Sequence, residues 1–396
     1  MSAGPPTEPV AYLDHAATSP GRPEVAEAMA PFAAGRFGNA SGGHRVARDA
    51  RAALEEAREE LAALLGAGPA EVVFTSGGTE SDNLAVLGVL ASSEHQRPVV
   101  ACSAIEHAAV LAPARAAAAG GGRILGVAAA EVRVAPVDGS GVVDLAALEA
   151  CLDEDVALVT VMLANNEVGS VQPLDDVVGV VRRRAPRAVI HTDAVAAAPF
   201  LDVGRAAAGA DLVSVSAHKL GGPKGVGALV VRDGTPLRPL VFGGGQERER
   251  RSGTHDVAGA VGMAVALRLA AASRHEDTAR VAALRDRLAD GLLAAIPRTV
   301  ESAPRAGVLA GHCHLRFAGV EQEEVLVLLD AAGVCASAGS ACASGAIEPS
   351  HVLLAMGVDP RDARSAVRFT LGHSTTAREV EQALVATPAV IARLRG

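Results

Sequence analysis

The sequence predicts an α/β protein with a large domain, whose mostly parallel sheet is sandwiched by helices, and a smaller α+β domain. Three observations predict it. Between about residues 70 and 232, short β-branched apolar runs alternate with amphipathic stretches, as strands buried on both faces do when crossover helices join them. After about residue 256 the alternation stops, and a long helical region leads into fewer, more mixed elements. The chain has 396 residues, 49% of them hydrophobic, enough for more than one core.

Each element follows from local pattern. Residues 1–9 carry neither a basic region nor an apolar segment and read as a short disordered lead-in, not a signal peptide. Residues 45–65, rich in Ala, Glu and Arg, predict a long helix. The runs at 71–75, 98–102, 156–163, 188–191, 211–216 and 227–231 predict strands. Residues 82–91, 108–119 and 174–185 predict helices between them. Residues 255–295 are helical throughout. Residues 312–317 alternate as a strand does, 322–332 and 350–356 predict helices, 366–371 a strand and 377–394 a final helix. The expected division is a cofactor-binding domain over 15–260 and a small domain made of 1–14 plus 261–396.

Composition excludes some functions. Net charge is −9, which argues against direct nucleic-acid or membrane binding, and no apolar run approaches the length that spans a bilayer. Aromatics are 2% of the chain, too few for base-stacking platforms. The five cysteines, Cys102, Cys151, Cys313, Cys335 and Cys342, are scattered. In a chain without an export signal they read as reduced thiols, and a cytoplasmic location is expected.

In an open α/β sheet, ligands bind beyond the carboxyl ends of the strands. The first run is followed by Ser76-Gly-Gly-Thr79 and the second by Glu106-His107. Asn165-Asn166 follows the third, Asp193 the fourth and Ser216-Ala-His-Lys219 the fifth. Ser76–Thr79 joins a strand to a helix, where glycines allow close approach and free N–H groups meet an anion. A plain capped turn is the competing reading for that motif alone. A lysine at a buried strand end can become a nucleophilic amine, and a buried carboxylate at Asp193 needs a cationic partner. Anion seat, carboxylate and amine together are what pyridoxal 5′-phosphate requires.

Cys342 lies in Ser337-Ala-Gly-Ser-Ala-Cys-Ala-Ser-Gly345, a run of small residues with little to bury. A structural cysteine sits among large apolar neighbours. Cys342 is therefore expected to be presented, not packed, with the stretch from about 336 to 349 mobile. The other cysteines read as packing. Cys313 and Cys335 near His312 and His314 match no usual zinc spacing, and no metal is expected.

With these residues in view, the chain resembles the group I cysteine desulfurases, fold-type I enzymes of the class V aminotransferase kind. The resemblance rests on Phe37-Gly-Asn-Ala-Ser41, Thr75-Ser-Gly-Gly-Thr-Glu-Ser-Asp-Asn83, Asn165-Asn-Glu-Val-Gly169, Ser216-Ala-His-Lys219, Gly243-Gly-Gly-Gln-Glu247 with Arg251-Ser-Gly-Thr254, and Gly339-Ser-Ala-Cys342. It implies that Lys219 binds pyridoxal 5′-phosphate covalently, Asp193 faces its ring nitrogen, and His107 stacks on the ring and shuttles protons. It implies a phosphate held by Gly78, Thr79, Ser216 and His218, with Thr254 reaching it from a second subunit of a homodimer. Asn166 would lie by the cofactor hydroxyl and the substrate, Arg368 would grip the carboxylate of L-cysteine, and Cys342 would take the sulfur. Iron–sulfur cluster assembly or thiolation, through an acceptor protein, is the role that branch implies. One position departs from the pattern: the family usually has glutamine three residues after the aspartate, on the cofactor's phenolic oxygen, and here Ala196 can make no such bond. That departure bears on cofactor tuning. A selenocysteine lyase or another class V enzyme is the alternative activity, and a catalytically silent scaffold the non-enzymatic one.

Overall fold

The structure is a computed structural model that describes residues 10–120, 129–339 and 349–396. The chain begins with β1 (Ala11–Tyr12), α1 (Pro23–Ala34) and α2 (Arg45–Leu64). The large-sheet region then runs β2 (Val72–Thr75), α3 (Gly78–Ser92), β3 (Val99–Ser103), α4 (Ala108–Ala118), β4 (Glu131–Ala135), α5 (Leu145–Ala150), β5 (Val156–Thr160), α6 (Leu174–Arg184), β6 (Val189–Asp193), α7 (Val203–Ala206), β7 (Leu212–Ser216) and β8 (Gly227–Val231). The remainder comprises α8 (Val257–Ala295), β9 (Thr299–Glu301), β10 (His312–Phe317), α9 (Gln322–Ala331), β11 (Val334–Cys335), α10 (His351–Ala355), α11 (Pro360–Ala363), β12 (Ala366–Thr370) and α12 (Ala377–Arg395).

Seven strands form the main sheet in the order β2-β8-β7-β6-β5-β3-β4. The β7–β6–β5–β3–β4 pairings are all parallel, and β8 runs against both of its neighbours. Two reversals restore direction, so β2 points the same way as β7. Every strand end that carries a candidate residue therefore reaches one edge of the sheet. The strands β3, β5, β6, β7 and β8 are buried at every position, as their continuous apolar runs require. β4 had no counterpart among the expected strands. It is an edge strand whose alternating Glu131, Val132, Arg133 and Val134 remain partly exposed, so it lacks the continuous apolar run. α1 was also unpredicted; only Val25 of its twelve residues is buried, so it has little amphipathic signal.

A second sheet, β12-β10-β9, is antiparallel, and β1 pairs with β11 in parallel. The 39-residue α8 serves both units. Val257 to Ala270 pack in the core under the main sheet, and Val281 to Leu292 pack with Phe317, Phe369 and the N-terminal Ala11 and Leu13 in another. We propose that the division between the two units passes through this helix. Its length and apolar composition alone would suit a bilayer, a property the run-length expectation missed, but half of its apolar window is buried inside the protein, in the two cores.

Candidate active site

The turn after β2 is built by close approach. Gly77 takes φ 139°, and a Cβ on Gly227 would come within 2.7 Å of Gly77 backbone, so β8 can lie against the turn only through a glycine. Helix α3 starts at Gly78 with no side chain capping its first N–H groups. An open cleft there is lined by Ser76, Gly77, Gly78, Thr79, Ser216 and His218. Unsatisfied helix N–H groups facing a cleft suit an anion.

The cleft continues into a cavity of about 250 Å³ that shares Gly78, Thr79 and His218 with it and adds Asp82, His107, Asn166, Asp193, Ala196 and Lys219. Asp193, the last residue of β6, is 5% exposed and accepts a hydrogen bond from Val195 N–H at 2.8 Å. Burial pushes its carboxyl up, against the pull of His107, the Val195 N–H and Lys219. Asp82 is buried behind it and pushed well up by burial and by Asp193 itself, and its Oδ1 has no hydrogen-bond partner. Donor atoms of Asp82, His107 and Asp193 lie within 4.8 Å of one another. Two buried carboxylates this close call for a positive group between them and the cavity.

His107 caps α4, its Nδ1 accepting from Ala109 N–H at 3.1 Å, so in the neutral ring the proton is on Nε2. Burial lowers its pKa, although Asp193 opposes the shift. Lys219 ends a single helical turn, Ala217–Lys219, directly after β7. Its Nζ donates to the carbonyls of Ala16 and, at 2.9 Å, Ala17. Burial first, and the Arg368 charge second, lower its pKa to about 8, partly offset by Asp193 and Asp14.

The wall beyond Lys219 is formed by Ala16, His107, Asn166, Glu167, Ser337, Gly339, His351 and Arg368. Arg368, on β12, is 3% exposed. It donates to the Asn166 carbonyl at 2.9 Å and to Asp14 at 2.8 Å, while its Nε has no partner. Glu167 accepts from Ser350 Oγ at 2.5 Å. Cys342 and the centre of its small-residue run, 340–348, lie outside the described residues, and with them the expected mobility. The chain on both sides is described: Gly339 lines this wall, and Ser350 is held by Glu167.

The structure therefore brings Gly78, Thr79, His107, Asn166, Asp193, Ser216, His218, Lys219 and Arg368 around one connected space. It does not bring Thr254 there; that residue is exposed and lines none of these cavities. Sequence reasoning missed Asp14, Asp82 and Glu167 as members. Asp82 and Glu167 sit in polar stretches, Thr79-Glu-Ser-Asp-Asn83 and Asn165-Asn-Glu167, where nothing local singles them out, and Asp14 carried only the weak signal of a carboxylate next to Leu13. Cys313 enters the second core, where burial pushes its thiol up to about 12.

The site's donor set fits pyridoxal phosphate on the structure's own terms. An anion seat, a buried carboxylate lacking its cation and a buried amine of lowered pKa line one cavity. Residues 11–383 match the family described as aminotransferase class-V. The chain is 45% identical over 392 residues to an IscS-like cysteine desulfurase of Mycobacterium tuberculosis, covering 98% of this chain and 97% of that protein. It is similar to a solved structure titled NifS-like protein, with TM-score 0.88, 35% identity, 97% of this chain and 100% of that one. It is also similar to a structure titled SspA in complex with cysteine, with TM-score 0.77, 32% identity, 91% of this chain and 98% of that one.

Proposed function

The chain belongs to the aminotransferase class-V family, and from that premise we infer that it is a group I cysteine desulfurase, converting L-cysteine to L-alanine and passing the sulfur on as a persulfide. The observation that carries the assignment of residues is the cavity lined together by Gly78 and Thr79 of the turn, Asp193 and Lys219.

In this reading pyridoxal phosphate, when bound, supplies an electron sink for charge left at the substrate Cα. Gly78, Thr79, Ser216 and His218 would hold its phosphate, and Asp193 would face its ring nitrogen. Burial raises the Asp193 pKa although His107 and Lys219 oppose it, and a protonated ring nitrogen beside it would favour the charged carboxylate further. Arg368, which lines the wall beyond Lys219 and is kept in place by Asp14 and the Asn166 carbonyl, binds the substrate carboxylate. Lys219, whose amine is near half-neutral at about pH 8, takes the proton from Cα and returns it to carbon. His107, which lines the cavity with Asp193 and Lys219, would move protons at Nε2.

Cys342 is the sulfur acceptor. Its thiolate attacks the substrate Sγ; an S–S bond forms, the Cβ–Sγ bond breaks, and the electron pair stays with the carbon fragment, which is protonated and leaves as alanine. The persulfide then goes to an acceptor protein. Phe37 and Phe242, 72% and 74% exposed on the two loops that carry family motifs, support a homodimer in which Thr254 of each subunit completes the other's phosphate seat. Cytoplasmic location goes with this reading.

The deciding experiment is Cys342→Ala. The variant is expected to keep the borohydride-sensitive colour of the bound cofactor while sulfide release from cysteine falls by about 100-fold or more. Full activity would remove Cys342 from the mechanism. A selenocysteine lyase would retain turnover of selenocysteine in this variant.

A further inference from the structure

Glu80, the third residue of α3, lines the cleft in which the phosphate is placed. A carboxylate there opposes a dianion, and the cleft has little to offset it. Among the described lining residues the only other side chain with a full charge is Lys224, which is exposed. His218 is neutral at neutral pH, because burial, then Lys219 and Lys224, lower its pKa to about 4. Glu80 itself is ionised: burial pushes its carboxyl up, but Arg251 and Ser76 outweigh burial and hold it below its ordinary value. An anionic wall on an anion seat calls for a reason.

The geometry supplies it. Glu80 Oε2 accepts from the Ser76 N–H at 2.8 Å and so fixes the turn between β2 and α3. Gly78 and Thr79, at the start of a helix that no side chain caps, line the cleft beside it. Arg251 comes from the loop before α8 and meets the same carboxylate on both oxygens, Nε donating to Oε1 at 2.8 Å and an Nη to Oε2 at 3.2 Å. This two-pronged contact is the one in which a guanidinium best matches a carboxylate. The two side chains are 24% and 20% exposed, sheltered enough for their charges to count. Arg251 lines neither this cleft nor the cavity behind it, so it touches the seat through Glu80.

We propose that Arg251 is a positioning residue for the cofactor phosphate: it cancels the charge that Glu80 places on the cleft wall and leaves that carboxylate to hold the Ser76 turn. The proposal rests on the cofactor reading above. A carboxylate suits this place because its two oxygens accept from the turn and from the guanidinium together. Without Arg251 the Ser76 contact remains but a bare negative charge faces the phosphate. Without the Glu80 charge, Arg251 has nothing to cancel.

The test titrates the cofactor-free full chain with pyridoxal phosphate and with pyridoxal, which lacks the phosphate, and follows the visible band. Arg251→Gln is expected to weaken pyridoxal phosphate about 5- to 20-fold and pyridoxal by less than about 2-fold. Glu80→Gln, whose amide oxygen can still accept from Ser76, is expected to bind pyridoxal phosphate at least as tightly as the unaltered chain. The double variant, Glu80→Gln with Arg251→Gln, is expected to recover to within about 3-fold of the unaltered chain. If Arg251 only tied its loop down, Glu80→Gln would cut the same tie and the double variant would recover nothing. Equal weakening of both ligands in Arg251→Gln, weakening of neither, or a double variant no better than Arg251→Gln overturns the proposal. If Arg251→Gln does not fold, Arg251→Met replaces it. Unaltered protein that gains no borohydride-sensitive colour with pyridoxal phosphate overturns the cofactor reading instead.

Discussion

Lys219 shows how far a single residue can be read. Its place after an apolar strand suggested a buried amine, and the structure puts it in a cavity where burial and Arg368 bring its pKa from 10.5 to about 8. Below that pH the amine is protonated and cannot attack an aldehyde; above it the neutral form dominates. The rate at which cofactor-free protein takes up pyridoxal phosphate should therefore rise with pH to a plateau with a midpoint near 8, followed by growth of the visible band. A midpoint near 10.5 would mean an amine in water. The same logic explains what residue-level reasoning left out. Asp193 is conspicuous after Ala-Val-Ile-His-Thr, but Asp82 becomes notable only when folding places it beside Asp193 from a different element.

At the scale of elements, one buried ion pair secures a strained loop. Glu247, Arg248 and Glu249 take φ of 49°, 55° and 66°, a region that costs non-glycine residues energy. Glu247 accepts from Arg58 of α2 at 2.7 and 2.8 Å and from the Phe74 N–H of β2 at 2.9 Å, and it pairs with His255 at 2.9 Å. Arg58 also donates to the Val72 carbonyl at 2.8 Å. Burial alone would push the Glu247 carboxyl up, but these partners outweigh it and hold it at about 2. A carboxylate pKa lowered on folding adds stability at neutral pH that disappears as pH falls. For Glu247 the loss falls between about 4.5 and 2 and amounts to about 3 kcal/mol. Glu247→Gln leaves the buried Arg58 with only the part-exposed Glu55, at 3.1 Å, as a counterion and should cost about 3 kcal/mol, read from the urea midpoint at pH 7. Most of the pH-dependent loss should be absent in that variant. Sequence reading took 248–251 for a solvated charged run inside a motif. Nothing in the spacing reveals that Glu247 and Arg58, 189 residues apart, share one buried site.

For the whole molecule, the large exposed Phe37 and Phe242 and the solvent-facing Thr254 belong to the proposed homodimer. Phe242→Glu should weaken self-association by about 10- to 100-fold, the equivalent of one aromatic side chain's burial, measured by sedimentation equilibrium. Cofactor occupancy should fall with it, because a monomer loses its partner's Thr254. Occupancy independent of oligomeric state would detach Thr254 from the phosphate seat. The sequence by itself determined the α/β class, the order of the buried strands, and which strand ends carry reactive side chains, because continuous β-branched runs and the glycine turns beside them are local signals. Only tertiary structure decided that β8 runs against its neighbours and so turns β2 to the common edge. It alone joined Arg368 and Asp14 from opposite ends of the chain and set Asp82 beside Asp193. Those facts depend on distances through space between segments far apart in the chain, and periodicity or composition holds no record of them.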